Sequence, residues 1–334
     1  MKRLGLRISS KKRMNNSQIP ENDSCENIDY FRTRAYPTTY IIVFIFGFIE
    51  NVFCLYVFLK LYKRKTAVSV VMVNLAIADL LFVCTLPWRV HYYWQGRIWN
   101  LTNAFCSFLS YALYVNMYCS IYFLSLMSIL RYFAIVHPVK GLKYRSIKYV
   151  QIVCVLIWVV VGVTASPFLQ VGSYTNANNE TKCFDPRIEN KHKIYVMNFV
   201  SLAVGCIIPF FIITVCYIFV IKTLLTSKGN HRKQKSSRRK AIAMIIIVMV
   251  IFLTSFLPYH VLRTVYIATN WNIANTSQAS CFVQKTVVIT LCSAAINSCL
   301  DPLVYYFAAE SFRGKLKSTH RNMFRGSPNL VHQT

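Results

Sequence analysis

The sequence predicts an all-α membrane protein, a seven-transmembrane helix bundle followed by a short amphipathic eighth helix. Three observations predict it. Of 334 residues, 55% are hydrophobic and only 15% are charged; soluble domains run near 45–50% and about 25%. The apolar residues collect into seven runs long enough to meet the ~20-residue requirement for crossing a bilayer. The net charge of +27 is spread unevenly over the loops between those runs. The same composition excludes a disordered chain, which needs low hydrophobicity. It also excludes a soluble nucleic-acid-binding domain, which carries more charge among fewer apolar residues.

Residues 1–35 precede the spans. They are polar, hold Lys2, Arg3, Arg7, Lys11, Lys12 and Arg13, and contain no apolar core. No cleavable leader is therefore expected, and the first span serves as the targeting signal. The bundle occupies 36–307, with runs at 36–60, 69–93, 103–137, 148–170, 194–226, 240–270 and 282–307. The third, fifth and sixth exceed the minimum, so tilted helices that project past the bilayer are expected. In 308–320, Phe312 and Leu316 lie four residues apart, opposite Arg313, Lys315 and Lys317. That is the pattern of a helix lying on a membrane surface. Residues 321–334 form a tail.

The loops after spans one, three and five, together with the tail, carry 22 basic residues and one acid, Glu310. The other side carries 16 basic residues and seven acids. Basic loops stay cytoplasmic, so the C-terminus is expected inside and, across seven spans, the N-terminus outside. The chain is thus expected in the plasma membrane. Five N-x-Ser/Thr sequons, at Asn15, Asn22, Asn100, Asn179 and Asn275, all fall on the expected outer side. That side is oxidising. Most of the 12 cysteines sit in apolar runs as small hydrophobes. Cys106 and Cys183 make one natural bridge there, and Cys25 and Cys281 another; for the second pair the alternative is two free thiols.

Charges inside the spans need a reason, because each costs a few kcal/mol there (~2.5–3.5 on insertion scales). Asp79 and Asp301 should face the bundle interior with Asn51, Ser120 and Asn297 beside them. One reading is a water or cation site, with sodium at Asp79. The other is a hydrogen-bonded packing node with one carboxyl protonated. Pro209, Pro258 and Pro302 lie well inside spans and should kink them. The absence of internal repeats and a total of only ten glycines count against a transporter of paired halves. No nucleophile or metal-ligand motif accompanies the two aspartates, so an enzyme is not expected, nor any cofactor.

In order, these residues resemble the rhodopsin-like G-protein-coupled receptors. The matching elements are Asn51, Leu75-Ala-Ile-Ala-Asp79, Cys106, Arg131-Tyr132, Trp158, Pro209, Tyr217, Phe252 with Pro258, and Asp301-Pro302-x-x-Tyr305. Within that class the chain is similar to the cysteinyl leukotriene receptors, nearer the first subtype, through Tyr111–Ser120, Thr181–Pro186, Pro258–Arg263 and Val287–Thr290. Nucleotide receptors share the His260-x-x-Arg263 spacing and are the close alternative. The resemblance implies that Arg131, Tyr217, Ile121, Pro209, Phe252, Phe256 and Tyr305 rearrange on activation. It implies a heterotrimeric G protein of the Gq or Gi class, an arrestin and a receptor kinase as partners, alongside membrane lipids and no nucleic acid. The chain departs from the class at Leu130, where an acid usually pairs with the arginine, and at Glu50, which replaces a small residue.

The outer half of the bundle holds no buried acid, which argues against a cationic amine ligand. Basic residues gather there instead: Arg32, Arg89, Arg263 and Lys285. Tyr114 and Tyr118 stand one turn apart, and Tyr259 and His260 face them from span six. Basic groups pair with carboxylates or phosphates, and tyrosines offer an apolar wall with a hydroxyl tip. The expected ligand is an anion with a large apolar part, best met by a lipid mediator.

Overall fold

A computed structural model describes residues 27–61, 65–170, 172–176, 179–184, 191–226, 232–272 and 278–308. Cys25, the sequons at Asn15, Asn22 and Asn275, the surface helix beyond Ala308 and the tail lie outside the described residues.

Seven helical rods are long and apolar enough to cross a membrane. The first, α1, is Asn27–Tyr56 and runs on as a π-helical turn, Val57–Leu61. It starts ahead of the expected residue 36 because a polar extension continues the helix beyond the apolar stretch. Asp29 in its first turn suits the positive end of a helix. The second, α2, is Ala67–Val83, with a break at Cys84–Thr85 and a continuation, Leu86–Trp94, that opens on Pro87. Thr66 and Ser69 close its start with a reciprocal capping box. Next come α3, Asn103–Ile135, and α4, Ile147–Ala165 with a 3-10 turn at Ser166–Gln170. Thr102 and Ser146 cap them. A two-stranded antiparallel hairpin follows, β1 Tyr174–Thr175 and β2 Thr181–Lys182.

The fifth rod, α5, joins Lys191–Leu202 and Ile208–Thr226 through a π turn at Ala203–Ile207. The sixth, α6, joins Arg232–Ile251 and Leu257–Asn272 through a π turn at Phe252–Phe256. It begins before the expected 240, because a basic, non-membrane turn extends it. The last, α7, is Gln278–Ala308, with Pro302 inside. The apolar window of α3 is 78% buried against 22% for that of α4. So α3 is the axis of the bundle and α4 stands at its edge. Large apolar side chains such as Leu81, Val155, Val163 and Phe211 point outward, as a lipid-facing surface requires.

Prolines explain two of the three π turns. Proline lacks an N–H and crowds the preceding helical turn, and the turns at Ala203–Ile207 and Phe252–Phe256 end two residues ahead of Pro209 and Pro258; Val57–Leu61 has no proline beside it. The carbonyls left without a helical donor find one on another rod. Tyr122 donates to Val204 O at 2.9 Å, Ser293 to Thr254 O at 2.9 Å, and Asn51 to Ser298 O at 2.8 Å, four residues before Pro302. In lipid an unmet carbonyl is costly, and neighbouring side chains make such kinks tolerable.

Candidate functional site

At one end of the bundle, a disulfide joins Cys106, at the start of α3, to Cys183, beside β2, with Cα atoms 6.0 Å apart. Cys281 is also disulfide-bonded; its expected partner, Cys25, is outside the described residues. Cys183 N–H donates to the Tyr92 hydroxyl at 3.3 Å, and Trp99 N–H to Thr181 O at 2.8 Å, so the hairpin is tied down over the bundle. In the hairpin, Lys182, 3.0 Å from Glu180, holds that carboxyl below the usual range. Asn100 and Asn179 are exposed at this end.

Beneath the hairpin, Arg263 of α6 donates from Nη1 to the hydroxyls of both Tyr114 and Tyr259. Those hydroxyls lie 3.5 Å apart. The Tyr114 ring stacks on Phe168 at 3.5 Å between centroids. Arg263 and Tyr259 sit one helical turn apart on α6, and Tyr114 reaches them from the axial helix. Among the described residues the guanidinium is thus held by two phenols and no carboxylate. Its charge remains available to an anion, and the phenols fix its plane.

Arg89 is the second cation. It is 2% exposed, although an unpaired buried arginine is expensive. Two contacts hold it: Nη2 donates to Leu109 O at 2.6 Å, and the guanidinium lies 4.3 Å from the Phe184 ring centroid. The buried Tyr40 phenol is near enough to feel its charge. The Arg263 guanidinium lies 5.2 Å from the Tyr114 ring centroid, and the Arg89 charge also reaches Tyr114 from further off. Tyr118 and His260 form the floor, with ring centroids 5.8 Å apart. His260 Nε2 and Arg89 Nε are buried without a protein partner. Gly205 of α5 closes one wall, since a Cβ there would lie 2.4 Å from the Tyr118 ring.

The structure therefore brings together Arg89, Tyr114, Tyr118, Tyr259, His260 and Arg263. Arg32 is held instead by Asp29 at 3.5 Å and by Gln284 Oε1 at 3.2 Å, and Lys285 stands half-buried next to Gln284. Asp29 also pairs with Arg97. These groups link the polar extension of α1 to the start of α7 and to the end of α2. Sequence reasoning missed Tyr40, Phe168 and Phe184. For Tyr40 a signal existed: Tyr36 and Tyr40 are spaced four apart and stack at 5.6 Å. For Phe168 and Phe184, in irregular segments, there was none.

Deeper, Asp79 and Asp301 are fully buried and close enough to interact. Asn116 donates to Asp79 Oδ1 at 3.0 Å, and Asn297 to Asp301 Oδ2 at 2.9 Å. Asn116 was not expected. Among the described residues, Asn51 Oδ1, Ser120 Oγ and Asn297 Oδ1 are buried with no hydrogen-bond partner, and Asp79 Oδ2, Ser298 Oγ and Asp301 Oδ1 crowd together without a well-formed bond. Among the described residues no trio of His, Cys, Asp or Glu assembles. Oxygen donors of this kind fit water or a hard cation rather than zinc.

Toward the opposite, basic end, Ile121, Phe252 and Phe256 are fully buried, and Pro209 is buried too. Phe210, Phe252 and Phe256 form a chain of rings 5.5 and 5.9 Å apart. The hydroxyls of Ser128 and Tyr217 bond at 2.8 Å, and Arg131 Nε donates to Met244 Sδ at 3.2 Å. Tyr305 continues α7 at the same end.

The profile of the "7 transmembrane receptor (rhodopsin family)" matches residues 50–305. The chain is 45% identical to cysteinyl leukotriene receptor 1 of Cavia porcellus, over 92% of this chain and 91% of that protein. It is 42% identical to cysteinyl leukotriene receptor 2 of Homo sapiens, over 88% and 84%. It is 34% identical to the uracil nucleotide/cysteinyl leukotriene receptor of Homo sapiens, over 93% and 83%.

Proposed function

This chain belongs to the rhodopsin family of seven-transmembrane receptors, and on that premise we propose that it is a plasma-membrane receptor for cysteinyl leukotrienes. The family signals through heterotrimeric G proteins rather than by catalysis. The observation that carries the ligand reading is the pair Arg263 and Arg89, two held cations with no facing carboxylate among the described residues. An acidic lipid places its anion between them and its apolar part against Phe168, Tyr118 and Tyr259. In this reading the disulfide end is extracellular, with the N-terminal segment 1–35 and the sequons. The basic end is cytoplasmic and meets a Gq or Gi protein, an arrestin and a receptor kinase. Arg131, Tyr217, Ile121, Pro209, Phe252, Phe256 and Tyr305 carry the activating rearrangement. Asp79 with Asn51, Ser120, Asn297 and Asp301 holds sodium or water in the resting state.

A second reading, a nucleotide receptor, is favoured by the 34%-identical relative whose name joins both ligands. Nucleotide phosphates suit the two arginines but leave the aromatic walls little used. The test is calcium release from transfected cells given cysteinyl leukotrienes and, separately, nucleotides. Leukotriene responses support the first reading; responses to nucleotides alone replace it with the second.

A further inference from the structure

A cavity of about 300 Å³ opens on the outer surface of the bundle near its basic end, between α1, α2 and α4. Its walls include Phe58, Val70, Val73, Cys154 and Val155, and exposed Lys65 lines it too. The floor is polar but satisfied. Asn74 donates to Val70 O at 2.9 Å and accepts from Trp158 Nε1 at 3.0 Å. Gln151 also lines the groove. Exposed Lys148 lies one turn before Gln151 and so on the same face of α4. Both α2 and α4 begin at this edge, at Ala67 and Ile147. Two positive helix ends thus add to two lysines.

The shape is an apolar slot with a cationic rim. We propose that it binds one anionic glycerophospholipid of the cytoplasmic leaflet, its acyl chain along the slot and its phosphate at Lys65 and Lys148. Charge complementarity selects this occupant. A zwitterionic lipid makes the same acyl contacts but brings its own ammonium to the lysines, and a sterol offers no anion to them. The site is separate from the ligand pocket, so its failure would leave the receptor assignment standing. It does rest on the basic end facing the cytoplasm.

The test is native mass spectrometry of the purified full-length receptor titrated with palmitoyl-oleoyl phosphatidylserine or phosphatidylcholine. The wild type should retain phosphatidylserine in preference. Lys65→Gln and Lys148→Gln should each weaken it by ~fivefold and leave phosphatidylcholine unchanged; Lys65→Arg should restore binding. Val155→Trp, which fills the slot without altering charge, should reduce both lipids. All these side chains are exposed, and unchanged thermal melting checks the fold. Equal retention of the two lipids by the wild type would overturn the proposal. So would phosphatidylserine affinity that survives the double glutamine variant, or displacement of phosphatidylserine by cholesterol.

Discussion

Gly205 is the residue whose identity the pocket most visibly demands. A methyl group there would meet the Tyr118 ring at 2.4 Å, and Tyr118 is only 8% exposed, so the ring has nowhere to retreat. Gly205→Ala should lower agonist affinity and the melting temperature. Gly162→Ala, whose Cβ would lie 3.2 Å from a tyrosine hydroxyl, should do neither; binding isotherms and thermal melts of the two variants compare them. Arg263 makes the charge argument testable. Removing a charge-assisted contact costs ~1.5–3 kcal/mol, or ~10–100-fold. Arg263→Ala should therefore shift agonist potency by that factor at equal surface expression. Tyr114→Phe and Tyr259→Phe, which remove only the fixing hydroxyls, should shift it less. Arg89, Arg263, Tyr114, Tyr118 and Tyr259 were legible in the sequence because charge and phenol stand out inside apolar runs; Tyr40 was passed over, and Arg32 and Lys285 lie elsewhere. Phe168 and Phe184 were not legible, because phenylalanine is unremarkable in such a chain and only the fold places it beside Tyr114 or Arg89.

Helices were legible where hydropathy speaks and not where it is silent. All seven rods were expected, with their order and topological alternation, because a bilayer forces backbone hydrogen bonds inside each span. The start of α1 at Asn27 and of α6 at Arg232 was hidden, since their first turns are polar and continue a helix outside the apolar stretch. Irregularity at Pro209, Pro258 and Pro302 was expected; π turns precede the first two, whereas helix continues through Pro302. Which side chains would meet the freed carbonyls was not expected. Those side chains make a prediction. Ser293→Ala removes one partially exposed bond to Thr254 O and should cost ~0.6 kcal/mol, the average for such bonds between membrane helices. Asn51→Ala removes two fully buried bonds, to Gly47 O and Ser298 O, and should cost more. Chemical or thermal unfolding in detergent ranks the two; a Ser293 effect larger than that of Asn51 would contradict this account of the kinks.

At the scale of the whole molecule, an anion between Arg89 and Arg263 affects the basic end only if it binds the active arrangement more tightly than the resting one. Between the two ends, Tyr118, Phe256, Phe252 and Ile121 belong to one buried apolar cluster, and Tyr118 lies against buried His260. Leu130 bears on the resting balance. It is 3% exposed and precedes Arg131, which donates to the neutral sulfur of Met244. Leu130→Asp supplies an acid beside the arginine and should lower basal signalling, measured as inositol phosphate accumulation without agonist at matched surface expression; unchanged or raised signalling would contradict it. The overall charge of +27, which invites a polyanion as partner, gathers on this scale mostly in the loops after spans one, three and five and in the tail.

In the proposed function, Arg263 and Arg89 receive the acidic end of a lipid mediator. The most direct test is calcium release in cells expressing the wild type or Arg263→Ala, challenged with a cysteinyl leukotriene and with uracil nucleotides. The account predicts a leukotriene response in the wild type, shifted ~10–100-fold to higher concentration in the variant, and no nucleotide response at concentrations that saturate the leukotriene response. A nucleotide response without a leukotriene response, or a leukotriene response of full potency in Arg263→Ala, would contradict it.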